Sequence, residues 1–223
     1  MPDPGKTWKL FEGSEIPSSV KSYPLLIQTC INRSIIDFGC GFGKTCFEVA
    51  TAGAKSVLGV DINQNGINFA KSHQQQYKEN LPIEFLCKDA TNTELANDQF
   101  DLGIMQAFLT TLPSHNIRIQ ALTEARRLIK SDGGLYLAVF MQTWHSKTYR
   151  ERYEKGLIET GEEGSFWATD TNTNKKVYQA HHFSEKELIY LLNTTGFEVK
   201  SFTYEKFQTR TGNYVNGAVI WAE

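Results

Sequence analysis

Apolar positions along this chain follow two rhythms. Short, nearly continuous apolar runs stand at residues 34–38, 56–60, 83–87 and 101–105, and again from Leu135 to Phe140. Runs of this length read as strands covered on both faces. The segments between them carry helical spacing or are simply polar. A helix is expected from about Gly43 to Ala52, stopping at Gly53, and a polar one over 64–79. Residues 117, 121, 122, 125, 128 and 129 form the apolar face of a third, Asn116 to Lys130. Asp132-Gly133-Gly134 is expected to turn the chain into the fifth strand. Repeated strand–helix alternation implies a parallel sheet with right-handed crossovers.

Three segments depart from this rhythm. Residues 1–32 are too apolar for a tail, and Pro17 and Pro24 divide them, so short helices over the sheet edge or a ligand mouth are expected. Residues 141–182 form an excursion too long for an ordinary connection, and long connections are usually functional. Ser184 and Glu187 then make a capping box for a helix that turns Leu188, Leu191 and Leu192 inward and stops at Gly196. Two final strands, about 197–206 and 214–222, are joined closely enough for a hairpin, which makes the last strand antiparallel to its neighbour. The 223 residues thus form one domain: an N-terminal lid segment (1–32), a core (33–140), an inserted recognition segment (141–182) and a C-terminal helix and hairpin (183–223).

Composition narrows the classes. With 40% apolar residues a sizeable core is available, and a net charge of −2 argues against a dedicated nucleic-acid binder. The N-terminus lacks a signal pattern and no apolar stretch reaches 18 residues, so a membrane partner is not expected. Cys30, Cys40, Cys46 and Cys87 have no metal-ligand spacing; they read as free thiols in a reducing cytoplasm, with no metal. The acidic run Glu159 to Glu163 reads as a solvated surface. The expected partner is a small molecule, with the chain a monomer or a homodimer.

Chemistry concentrates where the first apolar run ends: Ile35-Ile36-Asp37-Phe38-Gly39-Cys40-Gly41-Phe42-Gly43. Glycines let the backbone turn tightly against a ligand, and the following helix aims its N-terminal N–H groups at it. The dinucleotide fingerprint Gly-x-Gly-x-x-Gly is only partly met, because its last position is Lys44. A carboxylate at Asp37 within ~4 Å of a pyrophosphate would cost about 4 kcal/mol at an effective dielectric of 20, whereas beside an ammonium and a sulfonium it is favourable. The loop therefore favours S-adenosylmethionine over NAD or FAD. Asp61 and Asp89 fall at the next two strand ends; Asp61 is spaced to take the hydroxyls of a ribose, and Asp89 is placed for an adenine amino group, with a helix N-cap as the alternative for each.

The glycine loop, together with Val57-Leu58-Gly59-Val60-Asp61-Ile62, Cys87-Lys88-Asp89-Ala90, Phe100 to Phe108 and Leu128 to Leu137, resembles the class I S-adenosylmethionine-dependent methyltransferases. The resemblance covers about 34–140 and 184–222. It implies a Rossmann-like, doubly wound α/β fold with a seven-stranded sheet in the order 3-2-1-4-5-7-6, strand seven antiparallel. It also implies that Gly39, Gly41 and Gly43, with Asp37 and Cys40 in the same loop, shape the methionine pocket. Asp61 would bind the ribose, Ile62 would cover the adenine, Asp89 and the Ala90 backbone would meet its amino group, and Gln106 would lie near the sulfonium.

The stretch Met105-Gln106-Ala107-Phe108 lacks the Asn/Asp-Pro-Pro-aromatic pattern of nucleic-acid amino methylases, which points to a small-molecule acceptor with atom type O, N or C open. Candidate general bases are His145, His182 and His181, which flank the excursion. Candidate acceptor contacts are Tyr23, Trp144, Trp167 and, for a carboxylate, Arg210. Two rival readings are an NAD-type oxidoreductase and a non-catalytic S-adenosylmethionine-binding module on the same fold.

Overall fold

The computed structural model describes residues 8, 20–77, 80–169, 175–209 and 212–223. Seven strands build the core: β1 (Ser34–Phe38), β2 (Ser56–Asp61), β3 (Ile83–Cys87), β4 (Phe100–Gln106), β5 (Ile129–Phe140), β8 (Val199–Gln208) and β9 (Tyr214–Ala222). They form one sheet in the order β3-β2-β1-β4-β5-β9-β8. The first five run parallel, and β9 is antiparallel to both β5 and β8, as expected from the closing hairpin. The order reverses between β1 and β4, the place where open α/β sheets open a crevice at their carboxyl ends.

Helices cover both faces. On one side lie α1 (Pro24–Thr29), α2 (Lys44–Thr51) and α3 (Gln64–Gln74). On the other lie α4 (His115–Leu128) and α6 (Glu185–Thr194). Pro24 opens α1 at its first turn, where a missing N–H is harmless. The Ser114 hydroxyl caps α4 by accepting from Ile117 N, and Ala121, Leu122, Ala125 and Leu128 are buried on the sheet. Each fully buried leucine contributes about 1.5–3 kcal/mol, which fastens the helix.

Two expectations are corrected. Asp132-Gly133-Gly134 does not precede β5 but lies inside it. The strand starts at Ile129, and the register jumps from Phe100↔Ile129 to Leu102↔Gly134, so residues 130–133 bulge out of the ladder. The polar helix stops at Gln74 rather than 79.

The excursion is a small lobe with its own structure: α5 (Lys147–Thr160) and the hairpin β6 (Ser165–Thr169) with β7 (Lys176–His181). A two-stranded ribbon is marginal alone. Here α5 braces it at close range: a Cβ on Gly156 would lie 1.9 Å from Ser165 O. Both ends of the lobe are stitched to the carboxyl end of β5, where Phe183 N donates to Phe140 O (3.0 Å) and Gln142 N to Phe183 O (2.9 Å). No helix among the described residues is long and apolar enough to cross a membrane.

Candidate active site

The loop after β1 is pinned to β2. Gly39 N and Cys40 N both donate to Val60 O, at 2.8 and 3.0 Å. Gly39 has φ +69°, and a Cβ there would sit 2.2 Å from the Phe108 ring. Gly41 also turns left-handed (φ +54°), but nothing lies within 4 Å of where its side chain would begin. One glycine thus admits a neighbour and the other leaves a cradle. Gly43 is the N-cap of α2. Gly41 N donates to Asp61 Oδ2 (2.8 Å), and Asn63 N to Asp61 Oδ1 (2.8 Å). The Ile62 N–H is a third backbone donor to this carboxylate, which offers about four acceptor sites, so capacity for a ligand hydroxyl remains. The residue that caps α3 is Asn63, whose side chain accepts from Gly66 N.

Asp37 is buried beneath the loop. Burial, opposed by the Cys46 thiol that donates to Oδ2 (3.3 Å) and reinforced by the charges of Asp61 and Glu48, lifts its pKa to about 7. Burial raises Asp61 as well, against its backbone donors. Asp89 is exposed beyond β3. Its Oδ1 takes both the backbone N–H and the hydroxyl of Thr91, a local turn rather than a helix cap, and Oδ2 is left over. Ala90 is buried beside it and Ile62 is half-buried. Gln106 ends β4. Its Nε2 donates to Val20 O (3.1 Å), while its buried Oε1 has no donor. An open cradle at Gly41, a ribose-type acceptor at Asp61 and an orphaned acceptor at Gln106 fit S-adenosylmethionine along one crevice.

A family model described as a methyltransferase domain matches residues 35–133. An S-adenosylmethionine-dependent methyltransferase from Methanosarcina mazei is 39% identical, with a TM-score of 0.86 over 91% of this chain and 98% of that one. The chain belongs to the S-adenosylmethionine-dependent methyltransferases. A ubiquinone biosynthesis O-methyltransferase from Bartonella tribocorum is 32% identical over 123 residues, 54% of this chain and 47% of that protein. The chain spans about half the length of the curated relatives it matches. A Burkholderia thailandensis 1,6-didemethyltoxoflavin-N1-methyltransferase, at 17% identity and a TM-score of 0.63 over 93% of this chain and 76% of that one, shares the fold.

A cluster of aromatic rings stands at the carboxyl end of β5. Phe140, the last residue of β5, meets Phe207 edge-on at 5.5 Å, and Tyr23 lies 6.0 Å from Phe207. Trp144 is exposed and stands edge-on to Tyr153 at 5.0 Å. Trp167 sits on β6 under the Lys176 ammonium (5.4 Å), away from this group of rings in the contacts it makes. Arg210 lies outside the described residues.

The three histidines differ. His145 is exposed at the start of the lobe. His181 is fully buried, with Nδ1 on Ser165 Oγ (2.8 Å) and Nε2 on Glu187 (3.0 Å), so both nitrogens are engaged. His182 is walled by rings, and burial, with the charges of His181 and Arg152, pushes its pKa down to about 3. A base expected to work near neutrality does not suit that ring.

The acidic run is not simply a solvated surface. Glu162 pairs with the fully buried Arg118, whose Nη1 donates to Leu112 O (2.9 Å) and whose Nη2 lies 3.9 Å from Glu187. Glu187 thus uses its carboxylate on Arg118 and His181, while its backbone N–H alone serves the Ser184 cap. Among the described residues, His115, Glu162 and Glu187 are spaced for a metal, their ligand atoms within 4.8 Å. Arg118 already neutralises two of them.

Sequence reasoning missed three features beside Gln106. Ala107 holds φ +56°, Phe108 fills the space at Gly39, and Thr110 Oγ1 is buried without a partner. Left-handed backbone at a non-glycine residue is a recurrent mark of functional sites. The small residue after strand four is the one available signal; the Phe108 contact has none.

Proposed function

We propose that this chain transfers the methyl group of S-adenosylmethionine to an oxygen of a small-molecule acceptor chosen by residues 141–182 and the N-terminal segment. The observation that carries the reading is the clamp of Gly41 N on Asp61 beside an open cradle, together with the orphaned Gln106 Oε1. When bound, the cofactor supplies an electrophilic methyl on a sulfonium. Asp61 would hold the ribose hydroxyls, Ile62 the adenine face, Asp89 and the Ala90 backbone its amino group, and Gln106 with the loop glycines the methionine end. Relatives named as O-methyltransferases support oxygen as the acceptor atom. Methyl transfer needs in-line approach above all, so the aromatic rings at the end of β5 would act chiefly by orienting the acceptor. Tyr23 and Trp144 belong to that wall. Trp167, on the hairpin, would act from its margin, and Arg210 is the proposed partner of an acceptor carboxylate. His145 is the exposed base candidate for an acceptor that arrives protonated.

The test is melting the protein with S-adenosylmethionine, S-adenosylhomocysteine, NAD and FAD, then screening phenols and other hydroxylated small molecules with a labelled methyl donor. A ligand at 100 times its Kd stabilises by about 2.7 kcal/mol. A shift with the two S-adenosyl compounds alone, followed by label in an acceptor, supports the reading. A shift with NAD or FAD alone refutes it. Cofactor binding with no methylated product from any acceptor favours a non-catalytic module.

A further inference from the structure

His182 is enclosed on nearly every side. Its ring stacks on Phe140 (centroids 5.4 Å, 12°) and on Tyr149 (5.3 Å, 26°). Phe166 meets it edge-on at 5.0 Å, and Tyr153 at 5.8 Å. Such a setting resembles a packed core, except for two features. The residue sits against the last residue of β5, at the same end of the sheet as the glycine loop, and β5 lies beside β4 with Gln106 opposite Ala138. Its polar atoms are also ordered in one direction.

That direction follows from counting protons. Thr143 N donates to the Tyr153 hydroxyl (3.1 Å), so the hydroxyl is an acceptor there. Thr143's own hydroxyl is committed to Met141 O (3.1 Å). In the proposed arrangement, with the Thr143 hydroxyl engaged by Met141 O and by Asn216 N (3.0 Å), the single phenolic proton of Tyr153 points to its other neighbour, His182 Nδ1, 2.8 Å away. In that arrangement Nδ1 accepts, and a neutral imidazole that accepts at Nδ1 carries its hydrogen on Nε2. The low proton affinity of the buried ring agrees with its staying neutral. The His182 ring makes no further hydrogen bond among the described residues, and its Nε2 is not among the fully enclosed orphan atoms. The residue keeps 4% of its surface open. The Arg152 guanidinium lies over Tyr149 (5.1 Å) and Phe166 (5.8 Å), which gives the aromatic wall a positive margin.

We infer that His182 is a hydrogen-bond donor to the acceptor substrate, not a base, its Nε2–H held outward by the relay Thr143 N–H to Tyr153 O–H to His182 Nδ1. Tyr153 is then a positioning residue. The chemistry that matches this wall is a flat ring bearing an anionic or carbonyl oxygen. The inference rests on the methyltransferase reading for the presence of an acceptor, but its core is a property of the protein alone.

The first test is nitrogen-15 NMR of histidine-labelled protein between pH 5 and 8. The expected His182 signals are an unprotonated Nδ1 and a protonated Nε2, unchanged over that range. A hydrogen on Nδ1, or titration within it, overturns the inference whatever the protein's activity. The second test uses 4-nitrophenolate as the probe on protein loaded with S-adenosylhomocysteine, followed by absorbance. His182→Phe, which keeps the ring packing, should weaken the probe about tenfold, the worth of one hydrogen bond to a charged oxygen. His182→Gln, which keeps a donor, should recover most of that loss, and Tyr153→Phe should fall between. Cofactor affinity should be the same in all three. Equal binding by wild type and His182→Phe, or no binding by wild type, contradicts the donor role while leaving cofactor binding to judge the wider reading.

Discussion

Two regions at the carboxyl end of the sheet, the two walls of the proposed site, are made in different ways. Around β1 and β2 the site is backbone: glycines at left-handed φ, N–H groups shared between Val60 O and Asp61, and a loop that spans only residues 39–43. Around the end of β5 it is side chain: rings from Phe140, Tyr149, Tyr153 and Phe166 packed on His182, and a buried guanidinium holding two carboxylates from different elements. In the proposed reading, the difference matches what each wall would do. A cofactor of fixed shape is suited by a short loop whose geometry few substitutions change. An acceptor that varies between enzymes is suited by a lobe whose lining can be replaced without disturbing the sheet.

The largest expected effect breaks the second wall and spares the first. Arg118→Ala leaves Glu162 and Glu187 without their shared cation in a largely enclosed site. Removing one partner of a buried ion pair costs about 3–5 kcal/mol. Urea unfolding followed by lobe tryptophan fluorescence should show that loss, while S-adenosylhomocysteine affinity, measured where the variant is folded, stays unchanged. An equal loss of cofactor affinity would mean that the two walls are not separable.

The same contrast explains what is legible in the sequence. The glycine loop, Asp61, the strand order and the closing hairpin are written in neighbouring residues, where conformational preference and spacing act directly. The Asp132-Gly133-Gly134 bulge is misplaced by local reading because its register depends on β4, about thirty residues away. Glu162 reads as surface because its partner, Arg118, comes from α4, and charge alone does not reveal a distant cation. His181 and His182, adjacent in the chain, have opposite surroundings, a Ser–Glu pair for one and an aromatic box for the other, and no local pattern separates them. Phe108 and Gly39 lie 69 positions apart, and neither announces the other.

A smaller effect sharpens the description of the first wall. Asp37 is held up to about 7 chiefly by burial, with Asp61 and Glu48 adding to the rise and the Cys46 thiol opposing it. A carboxyl whose pKa rises on folding contributes stability while it is protonated. That contribution is whole below about pH 4 and is lost as pH climbs through about 7. The ligand-free protein should therefore lose a few kcal/mol between those limits from this group, and Asp37→Asn should flatten that slope in chemical denaturation at stepped pH. A slope that survives the substitution would assign it to another group.

The most direct measurement is calorimetric titration of S-adenosylhomocysteine into wild type and Asp61→Ala. Asp61 fixes the Gly41 N–H and, in the proposed reading, offers acceptors to a ribose. Losing charge-assisted hydrogen bonds of this kind should weaken binding about 100-fold, with the fold intact by circular dichroism. Affinity equal to wild type in a folded variant would contradict the account, because the cofactor would then have to bind somewhere other than the carboxyl ends of β1 and β2.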